Sequence, residues 1–136
     1  YGSTYAAPAP REPMPRVTIS GERKGTTVLI RVRSPRGANR LTLLVNGGPI
    51  RRVNGLTPPP GRGSFNALRG WQFASAVGVE EMVVEVVANR TVQAAASDVS
   101  FGLPASGAAL LRARNASTAT TIQDGDTTIT RVWGSW

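Results

Sequence analysis

This sequence predicts an all-β fold, an antiparallel β-sandwich or jelly-roll-like domain of about seven to nine short strands. Two observations carry that expectation. Short segments rich in Val, Ile and Thr alternate apolar and polar residues with a period of two. Clusters of Gly, Pro, Asn and Asp punctuate them. At 136 residues the chain suits one domain, and roughly two thirds of its unfolded surface can be buried.

Taken in order, residues 1–15 (YGSTYAAPAPREPMP) read as a Pro/Ala-rich linker, with Pro8, Pro10, Pro13 and Pro15 each removing a backbone donor. A domain over 16–136 follows. Val17 and Ile19 open a half-buried strand, and GERKG is read as its turn. TTVLIRVRS is the clearest strand, with Val28, Ile30 and Val32 on one face and Leu29, Arg31 and Arg33 on the other. SPRGAN is a turn. LTLLVNGG is a strand ending in Asn-Gly, and IRRVNG a short strand ending in a second Asn-Gly. Residues 57–66 (TPPPGRGSFN) form a loop, because three prolines exclude an interior strand. LRGWQFAS places Trp71 and Phe73 on one strand face. EEMVVEVVA and TVQAAASDVSFG are further strands. ALLRARNAS is a short helix or an irregular excursion, and IQDGDTTITRVW a final hairpin turning at Asp-Gly.

Composition removes whole classes of chemistry. The chain has no Cys and no His. That excludes disulfides, thiolate chemistry and the Ser–His and Cys–His nucleophile pairs, and takes away the commonest zinc ligand and general base. No apolar run approaches the ~20 residues of a membrane span. The chain begins at Tyr1 without a signal-peptide pattern, so it is expected to be a fragment or processed product.

Net charge is +8, from 16 basic and 8 acidic residues. Residues 23–79 hold ten basic residues and no acid. Arg31, Arg33, Arg36, Arg40, Arg51 and Arg52 therefore form a candidate basic face for anionic headgroups or another polyanion. On the competing reading, the cationic strands lie beside the strand carrying Glu80, Glu81 and Glu85, and the charges offset one another.

Other motifs carry less. Asp124-Gly125-Asp126 has a calcium-loop spacing, but no acid follows it, and a hairpin turn explains it as well. Glu81 and Glu85 stand about 13 Å apart along a strand, too far for a glycosidase pair. Trp71, Phe73, Trp133 and Trp136 could form a stacking platform, yet aromatics are only 6% of the chain, so most are expected in the core. Trp71 and Trp136 are the candidate contacts, Trp136 being the ring most expected to be exposed or to meet a partner. Asn89 and Asn115 sit in glycosylation sequons, which occur often by chance.

The stretch SDVSFGLP (97–104) poses the sharpest choice. An active-site loop would need a base for Ser100, and no His or Lys stands near it. The alternative is a strand end, where Asp98 ties a turn, Phe101 anchors it in the core, and Gly102, Leu103 and Pro104 lead the chain away.

The run SPRGANRLTLLVNGG, then Trp71, then SDVSFGLP, then QDGDTTITR resembles the C-terminal region of membrane-bound bacterial zinc aminopeptidases. These are relatives of the vacuolar membrane protease in peptidase family M-twenty-eight. DVSFGLP is the sharpest element of the likeness, which spans about residues 16–136. The resemblance implies a non-catalytic accessory domain on the extracytoplasmic, periplasmic side of a bacterial membrane. It would follow a zinc peptidase domain and several spans, and pack on that peptidase domain or on the membrane surface. Zinc would belong to the parent's peptidase domain; without His, no metal or catalytic residue transfers to a position here, and no cofactor or nucleic-acid partner is expected. A carbohydrate-binding module using Trp71 or loop 57–66 is the alternative, and a hydrolase in its own right the third.

Overall fold

The computed structural model describes residues 12–58, 70–113 and 127–136. Eight strands form two four-stranded sheets packed face to face, so the sandwich is the observed architecture. The strands are β1 (Thr18–Lys24), β2 (Thr27–Arg33), β3 (Arg40–Asn46), β4 (Ile50–Val53), β5 (Trp71–Val77), β6 (Glu81–Val87), β7 (Gln93–Phe101) and β8 (Thr127–Ser135). The first sheet runs β1-β2-β6-β4 and the second β5-β3-β7-β8, with every pairing antiparallel. A single 3₁₀ turn (Ala105–Gly107) and a short helix α1 (Ala108–Ala113) follow β7.

The period-two alternation sets the core. Val28, Ile30 and Val32 of β2 and Met82, Val84 and Val86 of β6 face inward, all at 0% exposure. Leu41, Leu43 and Val45 of β3 meet them from the second sheet, beside Ala94 and Ala96 of β7. Branched chains on one layer oppose small ones on part of the other. Each fully buried Val, Leu, Ile or Met contributes about 1.5–3 kcal/mol of transfer free energy. The core is aliphatic, and no described aromatic ring is fully buried in it.

Only β1–β2 and β7–β8 are neighbours both in sequence and in space. Between them the chain changes sheet at every connection. The β1–β2 loop is tighter than GERKG: Lys24 pairs with Thr27, leaving a two-residue turn. The first Asn-Gly (Asn46-Gly47) carries the chain from β3 across to β4 rather than closing a hairpin. The second does close a turn. Asn54 and Gly55 have φ of 50° and 78°, and Val53 and Leu56 exchange backbone hydrogen bonds of 2.9 and 3.0 Å around them. Two successive positive φ values are what a type I′ turn requires, and Asn-Gly adopts them most readily.

The open edge between β1 and β8 is closed by Trp136. Its indole lies on Gly21 of β1, where a Cβ would fall 2.2 Å from the ring, and on Gly134 of β8. Its backbone exchanges hydrogen bonds with Val92, and Arg23 donates to the carbonyls of Ala88, Arg90 and Trp136. Trp136 is therefore a partly buried seam between the sheets, not the exposed contact expected from its place in the sequence. Residues 1–11 of the linker, loop 57–66 from residue 59 onward, Asn115 and the Asp124–Asp126 turn lie outside the described residues.

Candidate functional site

Asp98 lies on β7 with its side chain pointing between the sheets, at 0% exposure. Four donors surround its carboxylate. Oδ2 accepts from Ser34 Oγ at 2.6 Å. Oδ1 accepts from Arg36 Nη2 at 2.6 Å, Thr130 Oγ1 at 2.6 Å and Thr130 N at 3.2 Å. The donors are themselves tied. Ser34 Oγ accepts from the backbone of Arg36 and Ala38, Thr130 Oγ1 from Val17 N, and Ser100 Oγ from Arg36 Nη1. The cluster pins the lead into β1, the turn after β2, β7 and β8 to one another. The stretches SPRGAN, SDVSFG and TTITR, remote from one another in sequence, meet here.

Burial alone raises the Asp98 pKa. The hydrogen bonds from Ser34, Thr130 and Arg36 and the Arg36 charge outweigh it and hold the carboxyl below its ordinary 3.8. A fully buried, ionised carboxylate that accepts four hydrogen bonds from three residues has the environment of a structural anchor. Ser100 Oγ faces a cation rather than a base, which gives it no activation as a nucleophile.

This refines the strand-end reading of 97–104. β7 continues to Phe101, so Asp98 stands three residues inside the strand, and the turn it ties is 34–38 rather than its own exit. Phe101 does not anchor the core: it is 77% exposed on the outer face of the second sheet. Strict alternation decides this, since Asp98 faces in and Phe101, three residues on, faces out. Gly102, at φ 95°, does redirect the chain. Ser100, Phe101, Leu103 and Pro104 then form one wall of a shallow cavity of about 280 Å³ that also touches Arg36 and Met14.

The six arginines do not form one face. Arg31 and Arg33 (β2) and Arg51 and Arg52 (β4) are exposed on the first sheet, Arg40 lies on β3 of the second sheet, and Arg36 points inward to Asp98. On the first sheet β6 lies between β2 and β4, and its carboxylates meet the cations. Arg31 pairs with Glu81 at 3.1 Å and Arg51 with Glu85 at 3.8 Å. The offsetting arrangement is thus the one present for these pairs. Glu81 and Glu85 share the outer face of β6, each engaged by an arginine.

The outer face of the second sheet is different in kind. Register sets the row Phe73, Leu44, Ala95, Trp133 across β5, β3, β7 and β8. Trp71, Asn46, Gln93 and Ser135 flank it on one side. Ser75, Thr42, Ser97 and Arg131 lie on the other, followed by Val77, Arg40, Val99 and Ile129. Trp133 is 63% exposed, Phe73 47%, Val77 74% and Ile129 49%. The indoles of Trp71 and Trp133 come from the two edge strands and meet edge to face, 6.2 Å apart at 81°. Ala95, small and 3% exposed, lies in the outward row beneath them. Trp71 and Phe73 share a strand face as the sequence indicates, but it is the outer one. The expectation that most rings serve the core fails because the aliphatic rows of β2, β3 and β6 already fill it.

Trp133, rather than Trp136, is the second ring of the candidate contact surface. Period-two alternation along β8 puts Trp133 on the face opposite to Thr130, but that Thr130 is the inward residue shows only in the structure. Among the described residues no group of three or more His, Cys, Asp or Glu could hold a metal ion, and no helix is long and apolar enough to cross a membrane. In comparisons with protein-family models, characterised proteins and solved structures, the chain matches none.

Proposed function

We propose that this chain is a non-catalytic accessory module that works by docking the outer face of its second sheet onto the protein that carries it. The observation behind this reading is the row of exposed Phe73, Leu44 and Trp133, with the partly buried Trp71 beside it and exposed Val77 and Ile129 further along the strands. Exposed apolar patches of several hundred Å² on soluble domains mark interaction sites. Strand spacing and rise give the whole face, its polar residues included, about 14 by 27 Å, or about 400 Å². Twice that area is small for two freely diffusing proteins, which bury about 1,200–2,000 Å² in total, but ordinary for domains of one chain, at about 600–1,500 Å². A tether supplies the effective concentration that a small interface lacks.

The resemblance of 34–48, Trp71, 97–104 and 123–131 supports, as that parent, a membrane-anchored zinc aminopeptidase, with this module on the periplasmic side, against the peptidase domain. Contact with anionic lipid is the weaker arrangement, because Arg36 is internal and Arg31 and Arg51 face carboxylates. A carbohydrate-binding module is the second reading, favoured by the rings and by the neutral donors Asn46, Gln93 and Ser135 beside them. Perpendicular indoles, however, do not offer the coplanar faces on which successive sugar rings stack.

The test is hydroxyl-radical footprinting of this chain alone and within its parent. Trp133, Phe73 and Val77 are expected to be modified in the free chain and shielded in the parent, with the outer face of the first sheet alike in both. Equal modification of Trp133 in both would overturn docking. The parent's reading frame tests the rest: a zinc peptidase domain with several membrane spans is expected, and a soluble glycosidase would replace that assignment with the second reading.

A further inference from the structure

Resting on the docking reading, we infer that Arg131 is a carboxylate-recognition point within the apolar face, so that the partner is a protein surface presenting an Asp or Glu among apolar side chains. Arg131 lies on β8 between Ile129 and Trp133, all three pointing outward. Its Nε donates to Ser97 Oγ at 3.1 Å on the neighbouring strand. That bond draws the guanidinium toward β7, where Ala95 and Val99 are the outward neighbours of Ser97, and restrains its Nε. Among the described residues no carboxylate is within ion-pair distance of Arg131, and its two terminal nitrogens have no acceptor.

The charge pattern of the two sheets makes this position distinctive. On the first sheet, arginines face glutamates across neighbouring strands. On the second sheet the only carboxylate within the strands is Asp98, and it faces inward. Arg131 is thus a cation braced by a serine, between Ile129 and Trp133 along its strand, and no carboxylate of the strands shares its outward face. A guanidinium offers parallel N–H donors matched to a carboxylate, and fixing it in advance reduces the side-chain freedom lost on binding. Docking would desolvate Arg131, and a partner without an acid there would leave its charge buried and uncompensated. Complementarity therefore specifies a carboxylate. The same pattern disfavours a second copy of this face as occupant, since it would set Arg131 against another arginine-bearing surface.

The test uses ¹⁵N-labelled chain and two peptide probes, acetyl-Leu-Asp-Leu-amide and its Asn counterpart, followed at the Arg131 Nε–H and the tryptophan indole N–H signals. Trp136, in the seam, is an internal reference expected not to move. The Asp peptide is expected to shift Arg131 and Trp133 together and to bind about threefold to fivefold more tightly than the Asn peptide, a preference weakened by salt. In Arg131→Gln the preference is expected to vanish while the Trp133 shift persists. Equal titration by both peptides, or an Asp preference retained in Arg131→Gln, would overturn the inference. So would oligogalacturonate outcompeting the Asp peptide at the same signals, which would make the occupant an acidic glycan. Footprinting separates this from the docking reading. Shielding of Trp133 in the parent without an Asp preference removes only the carboxylate, whereas loss of shielding removes the docking itself.

Discussion

The two sheets share one alternation and have opposite outsides. The first presents Arg31, Arg33, Arg51, Glu81 and Glu85, and pairs several of them across strands. The second presents Trp71, Phe73, Leu44, Trp133, Val77 and Ile129, and turns its one carboxylate inward to Arg36. Both inner faces contribute to one aliphatic core, and that of the second sheet also carries the buried Asp98 and Thr130. Function therefore is to be sought in what each sheet shows to its surroundings. The first face pairs Arg31 with Glu81 and Arg51 with Glu85, while the exposed rings of the second are the basis of the docking proposal.

The largest effect should come from breaking the second sheet's inward anchor. Asp98→Ala leaves the Arg36 guanidinium, 15% exposed, without its counter-charge and strands the hydroxyls of Ser34 and Thr130. The sequence alone would suggest a loss of about 1–2 kcal/mol for a turn-fixing Asp. Disrupting a buried pair raises this to about 3–5 kcal/mol, measurable as a fall in urea midpoint at neutral pH. Acid should act at the same place. The folded-state pKa of Asp98 lies below its ordinary 3.8, so its contribution is fully present above that value and lost as pH falls through the folded value. Wild type should lose more stability than Asp98→Asn in that acid range. Parallel pH profiles would contradict the assignment.

Next is the seam joining the sheets. Gly21→Ala places a methyl 2.2 Å from the Trp136 ring, so the indole must shift, at a cost of about 1–3 kcal/mol in thermal or urea unfolding. Unchanged stability with an unmoved Trp136 indole signal would show that the ring is not seated there. Trp133→Ser is expected to cost less, about 0.5–1.5 kcal/mol from its edge-to-face pair with Trp71, while removing the shielding of Phe73 in the parent chain. A greater loss in the isolated chain would mean that the ring serves the fold rather than a partner. Smallest is Glu81→Gln on the first sheet. Its pair with Arg31 is about half exposed on both sides, so the change should stay below about 1 kcal/mol and diminish further with salt.

Most strands were legible because the signal is local. Val28, Ile30 and Val32, or Met82, Val84 and Val86, fix a face wherever the strand ends up. Asn54-Gly55 specified its turn because only residues that tolerate positive φ close it. Asn46-Gly47 gave the same local signal and marks a crossing between sheets, since a dipeptide does not encode which strand comes next. The charge run of 23–79 looked like one feature for a similar reason. Sequence order groups Arg31, Arg36 and Arg40, while the crossing from β2 to β3 sends them to the first sheet, the interior and the second sheet.

By itself, then, the sequence determined the all-β class, the strand faces, the aliphatic core and the lack of any His-based or Cys-based chemistry, because each depends on residue type and a period of two. Tertiary structure alone decided that Asp98 gathers Ser34, Arg36 and Thr130 from two distant stretches, that Trp136 seals the edge at Gly21, and that Trp71 and Trp133 meet on the outside. Those outcomes depend on which strands become neighbours. In a chain that changes sheet at each connection from β2 to β7, that is settled by long-range packing.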